Sequence, residues 1–204
     1  MAIRTANNQS LTEITALPSV VTVGSLVLLE TQTASGDGTI DFTSNIDSTY
    51  KEYIFKFIDI HPEETEKEFG VQFNLSVDSG DNYNVAKTTT WFVAYHDEAD
   101  TATRLAYLPV SSDLAQGTGA QPLNVTLDAD NDSCLVGQLH LYDPSNTTFV
   151  KHFIARTQEV LYDSTSQEVY VAGYCNVTAA IDGVQFSMSS GNIDAGTFKM
   201  YGVT

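Results

Sequence analysis

Four histidines, three alternating aspartates, two cysteines and a single tryptophan are the residues whose types and spacing could do chemistry. Nucleophilic or acid–base catalysis needs a base held beside a nucleophile and kept there by a third group. His61, His96, His140 and His152 have no such motif around them, and no Gly-x-Ser-x-Gly elbow occurs. Phosphate-cradling loops, dinucleotide fingerprints and zinc spacings are missing as well. His140 and His152 fall in alternating, strand-like text, where a half-buried or surface histidine is the ordinary expectation. His96 opens the run Tyr95-His96-Asp97-Glu98-Ala99-Asp100. A histidine beside carboxylates suits a metal or a proton transfer, but near-consecutive residues on a loop splay apart, and a solvated loop is expected.

Asp128, Asp130 and Asp132 are the best metal candidates, because a hard cation such as calcium takes alternating carboxylates from a loop. The calcium-loop pattern then breaks: position six is Ser133 where glycine is needed, and position twelve is Leu139 where glutamate is needed. An Asp/Asn-rich hairpin turn is the expectation. Cys134 and Cys175 are too few for a disulfide framework or a four-ligand zinc site. Two buried free thiols are expected, with a single bridge left open should two strands bring them together. Trp91 shares a face with Val93 and Tyr95 and is expected in the core, the alternative being a sugar-stacking platform. Glycosidase chemistry asks for two carboxylates across a cleft, and nothing singles out a pair among 26 acids. No catalytic, cofactor-binding or metal-binding residue is assigned, and an enzyme is not expected.

The elements that would hold these residues are strands. In 69–77, Val71, Phe73, Leu75 and Val77 alternate with Gln72, Asn74 and Ser76. In 50–60, Tyr53, Phe55 and Phe57 oppose Ile54, Ile58 and Ile60, so that strand is expected to be buried on both faces. Leu123, Val125 and Leu127 repeat the period in 121–127, and 149–155 sets Phe149 and Phe153 against Val150 and Ile154. A period of two over such lengths predicts half-buried antiparallel strands. Further strands are expected at 20–32, 38–43, 83–95, 105–110, 134–142, 168–177, 181–188 and 196–203, with turn-forming runs such as 35–38, 78–82, 143–146 and 190–192 between them. Residues 62–68 and 97–104 suit single exposed helical turns. The fold class is all-β, an antiparallel β-sandwich of jelly-roll-like form. One domain is expected over 19–204, preceded by an extended N-terminal arm over 1–18 whose Leu11, Ile14 and Leu17 would order against a neighbouring subunit, the alternative being a frayed terminus. Tyr50, Tyr53, Tyr162, Tyr170 and Tyr174 are expected mostly in the core.

Composition narrows the partners. The net charge of −17, from 26 acids against 9 bases, repels a phosphate backbone and an anionic membrane, so neither nucleic acid nor membrane is expected. Charged residues make up only 17%, against roughly 25% in ordinary domains, while hydrophobic residues reach 42% and exclude a disordered chain. No secretory segment is read at the start, and synthesis in a cytoplasm is expected.

Several segments together resemble a family of small virion proteins of short-tailed marine bacteriophages, the cyanobacterial phages among them. They are the opening 2–12, the run 46–53 leading to Ile60-His61-Pro62, Tyr95–Asp100, Tyr142–Phe149 and the stretch 190–197. The resemblance covers nearly the whole chain and implies a structural protein of the particle. Its leading form is a capsid decoration protein, a knob or cement on the outer head surface. The alternative is a tail fibre or receptor-binding module recognising a host glycan. The implied partners are the phage major capsid protein or other virion proteins, with a homo-oligomer and a glycan left open, and the implied location is the virion.

Overall fold

The computed structural model describes residues 26–77, 82–107, 112–161 and 163–204. The expected arm over 1–18, Tyr162 and parts of the 20–32, 78–82 and 105–110 segments lie outside them. Among the described residues the regular elements are all strands: β1 (Leu26–Asp37), β2 (Thr39–Phe42), β3 (Glu52–Pro62), β4 (Phe69–Leu75), β5 (Lys87–Asp97), β6 (Thr103–Tyr107), β7 (Ala115–Gly117), β8 (Gln121–Pro122), β9 (Leu135–Tyr142), β10 (Lys151–Val160), β11 (Thr165–Cys175), β12 (Ile181–Met188) and β13 (Ile193–Val203).

Pairing is nested. β1 pairs β13, β2 pairs β12, β3 pairs β9 and β4 pairs β8, all antiparallel. Such a set is one long hairpin rolled up, and the chain steps between sheets at nearly every connection. The result is β1-β13-β3-β9 in one sheet and β2-β12-β4-β8 in the other, the strand order of a jelly roll. The excursion between β9 and β12 adds the hairpin β10-β11 to the first sheet. The excursion between β4 and β8 adds β5, β6 and β7 beyond it. One sheet therefore runs β1-β13-β3-β9-β10-β11-β5-β6, and the other keeps four strands.

Alternation explains what lies between the sheets. Phe55 and Phe57 of β3 and Phe198 of β13 point at Phe42, Phe69 and Phe186 from β2, β4 and β12, and all six are buried. Their rings meet edge-to-face, with Phe57 5.0 Å from Phe186 and 5.2 Å from Phe69, and Phe42 5.2 Å from Phe55. Such pairs add about 0.5–1.5 kcal/mol each beyond the area they bury.

The small sheet cannot cover the added half of the large one. Residues between β7 and β9 take part of that task, and this is where the strand expected over 121–127 shortens to β8. Their backbone is engaged by side chains instead of a ladder: Thr157 donates to the Leu123 carbonyl, and the Val125 amide donates to Glu159 at 2.8 Å. Among the described residues, backbone pairing continues only in the bond from the Leu123 amide to the Phe69 carbonyl and in an isolated bridge of Lys67 to Leu127. Phe149 also departs from its expected strand. It lies in a turn that Asn146 builds by accepting the Thr148 and Phe149 amides, and its ring is 69% exposed. The helical turns expected at 62–68 and 97–104 are bends and a hydrogen-bonded turn.

Gly137 in β9 shows how tightly the large sheet is built. A Cβ there would lie 2.5 Å from the Arg156 carbonyl oxygen and 2.8 Å from Thr157 Cα, both of them backbone. Gly137→Ala should destabilise the protein by about 1–3 kcal/mol, read as a lowered denaturation midpoint in urea at unchanged slope.

Candidate functional site

The residues singled out by type are mostly engaged in structure. His96 Nε2 sits 3.0 Å from Asp100 Oδ1, across the turn that leaves β5. Asp97 in the same turn accepts the Thr101 and Ala102 amides, both at 2.8 Å, and the Thr101 hydroxyl. Those hydrogen bonds, that of Thr101 foremost, hold its carboxyl below the usual carboxylate range. The Asp is a turn builder. His61 is 3.3 Å from the Asp130 carbonyl and 3.5 Å from Asp194.

Asp128, Asp130 and Asp132 occupy a turn leading to β9. Ser133 closes that turn, its amide donating to the Asp130 carbonyl and its hydroxyl accepting the Asp128 amide while donating to the Val160 carbonyl. Asp128 accepts the neighbouring Ala129 amide. Among the described residues no three His, Cys, Asp or Glu side chains converge on a point that would suit a metal ion. Cys134 and Cys175 are both free, Cys134 half-buried and Cys175 buried.

Trp91 is 1% exposed, so it belongs to the core and offers no platform to a sugar. The same inward face of β10, β11 and β5 carries an unusual set of polar groups. Lys151, Cys175 and Lys87 stand opposite one another across the three strands, and all are fully buried. Lys151 satisfies its ammonium on the carbonyls of Phe149, Val177 and Thr178 at 2.8–3.3 Å. Lys87 donates to the Val85 carbonyl at 2.8 Å and lies 6.0 Å from the Phe73 ring centroid. Burial brings Lys87 down to about 8 and pushes the Cys175 thiol up to about 12. A thiol so shielded is no nucleophile at neutral pH. At the other end of β10, Glu159 is buried and takes three donors: Val125 N at 2.8 Å, and Asn124 Nδ2 and Gln167 Nε2, both at 2.9 Å. This ties the segment after β8 onto the large sheet.

The opposite, outward face of these strands is the surface that the sequence reading passed over. Cross-strand register places Gln138, Arg156, Tyr170, Phe92 and Tyr107 in one row over β9, β10, β11, β5 and β6. The next row is His140, Ile154, Ala172 and Thr90, and beyond it come His152, Tyr174 and Thr88. Tyr170 and Tyr174 are therefore surface residues, where core positions were expected. Phe92 stacks on Tyr170 with centroids 4.7 Å apart and planes 6° from parallel. Arg156 covers the ring of Tyr170 at 5.4 Å and pairs with Glu168, which also accepts the Tyr170 hydroxyl at 2.7 Å. Arg156 holds Glu168 below the usual carboxylate range, and Glu168 in turn pushes the Tyr170 hydroxyl up. His140 donates from Nδ1 to the Glu52 carboxylate at 2.5 Å and lies stacked on Tyr142.

Exposed apolar side chains gather on this face: Ile154 is 49% exposed, Tyr107 48%, Phe92 38% and Leu105 75%, with Leu28 and Val136 on the same face. Hollows of about 360 and 440 Å³ adjoin across Ile154 and Ala172, and a third of about 640 Å³ lies over Ala94, Ser166 and Gln158. The signal was present in the strand text, since β5 alternates Trp91 and Val93 with Phe92, and β10 alternates Phe153 with Ile154. On soluble proteins contiguous exposed apolar patches mark interaction surfaces, whereas apolar residues scattered singly are ordinary.

Glu159 gives a measurable consequence. Burial lifts its carboxyl from the ordinary 4.5 to about 7, against its three hydrogen bonds. Between those values the folded chain keeps a proton that the unfolded chain has released, so stability falls as pH rises from 4.5 and the loss is complete above 7. The contribution is on the order of 3 kcal/mol at most. Thermal midpoints measured across this window should show the decline, and Glu159→Gln should flatten it. Against known proteins the chain has no match, whether among family models, curated proteins or solved structures.

Proposed function

We propose that the chain is a non-catalytic structural component of a bacteriophage particle, a capsid decoration protein on the outer head surface that displays a binding face. The observation that carries the binding role is the gathering of Ile154, Phe92, Tyr107 and Leu105 on one outward sheet face beside three hollows. A protein of net charge −17 gains solubility from its acids and nothing from such a patch unless a partner uses it. The phage assignment rests on the resemblance of the segments named above. On the particle, the major capsid protein or another virion protein is the partner that holds the domain in place.

A tail fibre or receptor-binding module is the second reading, and the surface position of Tyr170 and Tyr174 favours it. Both roles leave the outward face accessible, and they differ in where the protein sits. Mass spectrometry of purified particles should find the chain, and antibody labelling of intact particles should mark the heads. Labelling confined to tails would move the protein to the second reading, and absence from particles would overturn both.

A further inference from the structure

The outward row that passes through Gln138 runs on across the sheet. On one side it reaches Lys56, Lys199 and Thr31, and on the other Arg156 and the rings of Tyr170 and Phe92. No residue of this row is acidic, yet it holds three of the nine lysines and arginines of a chain with net charge −17. The ion pairs among the described residues include neither Lys56 nor Lys199, and the Lys56 ammonium lies 5.4 Å from the Tyr201 ring centroid. The four other lysines are engaged: Lys87 and Lys151 are buried, and Lys51 and Lys67 are paired with Asp143 and Glu64. On the same face Glu168 and Glu52 are already bonded, to Arg156 and His140. Asp59 sits at the bulge of β3, about 10 Å along the strand from Lys56. Resting on the binding role proposed above, we infer that this row is a site for an acidic carbohydrate chain, one carrying a carboxylate or sulfate on alternate sugars.

Charge and spacing select that ligand over the alternatives. Lys199 and Lys56 stand on neighbouring strands, about 4.8 Å apart, and together face one anionic group. Arg156 lies two strands beyond Lys56, about 9.6 Å away, close to one disaccharide step of an extended glycan. Its bond to Glu168 uses Nε, and the guanidinium has further donors on its Nη atoms. An extended peptide presents side chains on one face every ~6.8 Å, out of step with these cations. Nor does a peptide find a place as a further strand, since the strands from β13 to β5 pair with neighbours on both sides. A single-stranded nucleic acid needs bare ring faces for its bases, and Tyr170 lies between Phe92 and Arg156. A sugar ring asks for less. The hollow of about 360 Å³ beside Gln138, His140 and Arg156 offers Ile154 and Ala172 to the C–H face of a pyranose and Gln138 to its hydroxyls. The molecule's other acids act through solvent that screens them within about 8 Å at physiological salt, so the row's own cations set the local field.

The test puts the full chain on an array of uronic-acid and sulfated oligosaccharides, beside uncharged ones, poly-glutamate and a single-stranded oligonucleotide. Calorimetric titration follows with the best acidic saccharide. Binding to an acidic series is expected, weakened about tenfold by high salt, and the array tells carboxylate from sulfate. Lys56→Gln should weaken it about fivefold, the loss of one partly exposed charge contact. Lys56→Glu should abolish it. Lys67→Glu, the same change of net charge outside the row, should leave it unchanged, with all variants checked for an unaltered thermal midpoint. Binding to no acidic oligosaccharide, equal or tighter binding to the uncharged ones, a preference for poly-glutamate or the oligonucleotide, or affinity indifferent to Lys56→Glu overturns the inference. So does a dimer in sedimentation that Lys56→Glu dissociates, since the occupant is then a second copy. If the protein is on particles and binds no acidic sugar, only the inference about this row fails. If it binds one and is absent from particles, the virion reading fails and the row stands as a site.

Discussion

A four-stranded sheet covers only part of a sheet twice as wide, and that mismatch shapes the rest of the molecule. Opposite β3 and β13, the aromatic cluster of Phe42, Phe57, Phe69, Phe186 and Phe198 fills the space together with aliphatic and methionine side chains. Further out, β10, β11 and β5 still bury one face, but part of what closes it is irregular chain. Irregular chain carries unpaired amides and carbonyls into the interior, and each must find a partner. Glu159, Thr157, Asn124 and Gln121 meet that demand. Thr89 bonds Gln121, Gln121 bonds the Ser112 carbonyl, and Asn124 accepts the Phe69 amide. Buried polar residues here act as the hydrogen-bonding strand that is missing.

The same mismatch accounts for the buried lysines. At the far end of the β10-β11 hairpin the carbonyls of Phe149, Val177 and Thr178 turn inward, and the ammonium of Lys151 collects all three. Lys87, with one carbonyl and an aromatic ring, is less well supplied, which is why burial lowers its proton affinity so far. Groups that look catalytic by type are here spent on backbone satisfaction. The outward face is under no such demand. Strands β9, β10 and β11 there pair with neighbours on both sides, and the excursions that widen the sheet are what create it.

This division also explains how the histidines and carboxylates distribute. Asp97 and Asp128 hold turns, and Asp143 accepts from Asn146 while pairing with Lys51 at 2.9 Å. Those hydrogen bonds, led by the one from Lys51, keep Asp143 below the usual carboxylate range. Among the described residues, no three His, Cys, Asp or Glu side chains come together as a metal ion would need.

Strand alternation and turn chemistry were enough to read an all-β sandwich from the sequence, because a period of two reports directly on which side chains face a core. They also placed Trp91 inside and marked 128–133 as a turn. Alternation is silent on which strand neighbours which, so the nested pairing that makes a jelly roll, and the two excursions that widen one sheet, belong to tertiary structure. It is equally silent where both faces of a strand are apolar. In β5 and β10 the text reads the same whether Phe92 and Ile154 meet a second layer or open solvent. Tertiary structure decides that: the second layer lies on the Trp91 and Phe153 side, leaving Phe92 and Ile154 exposed on the other.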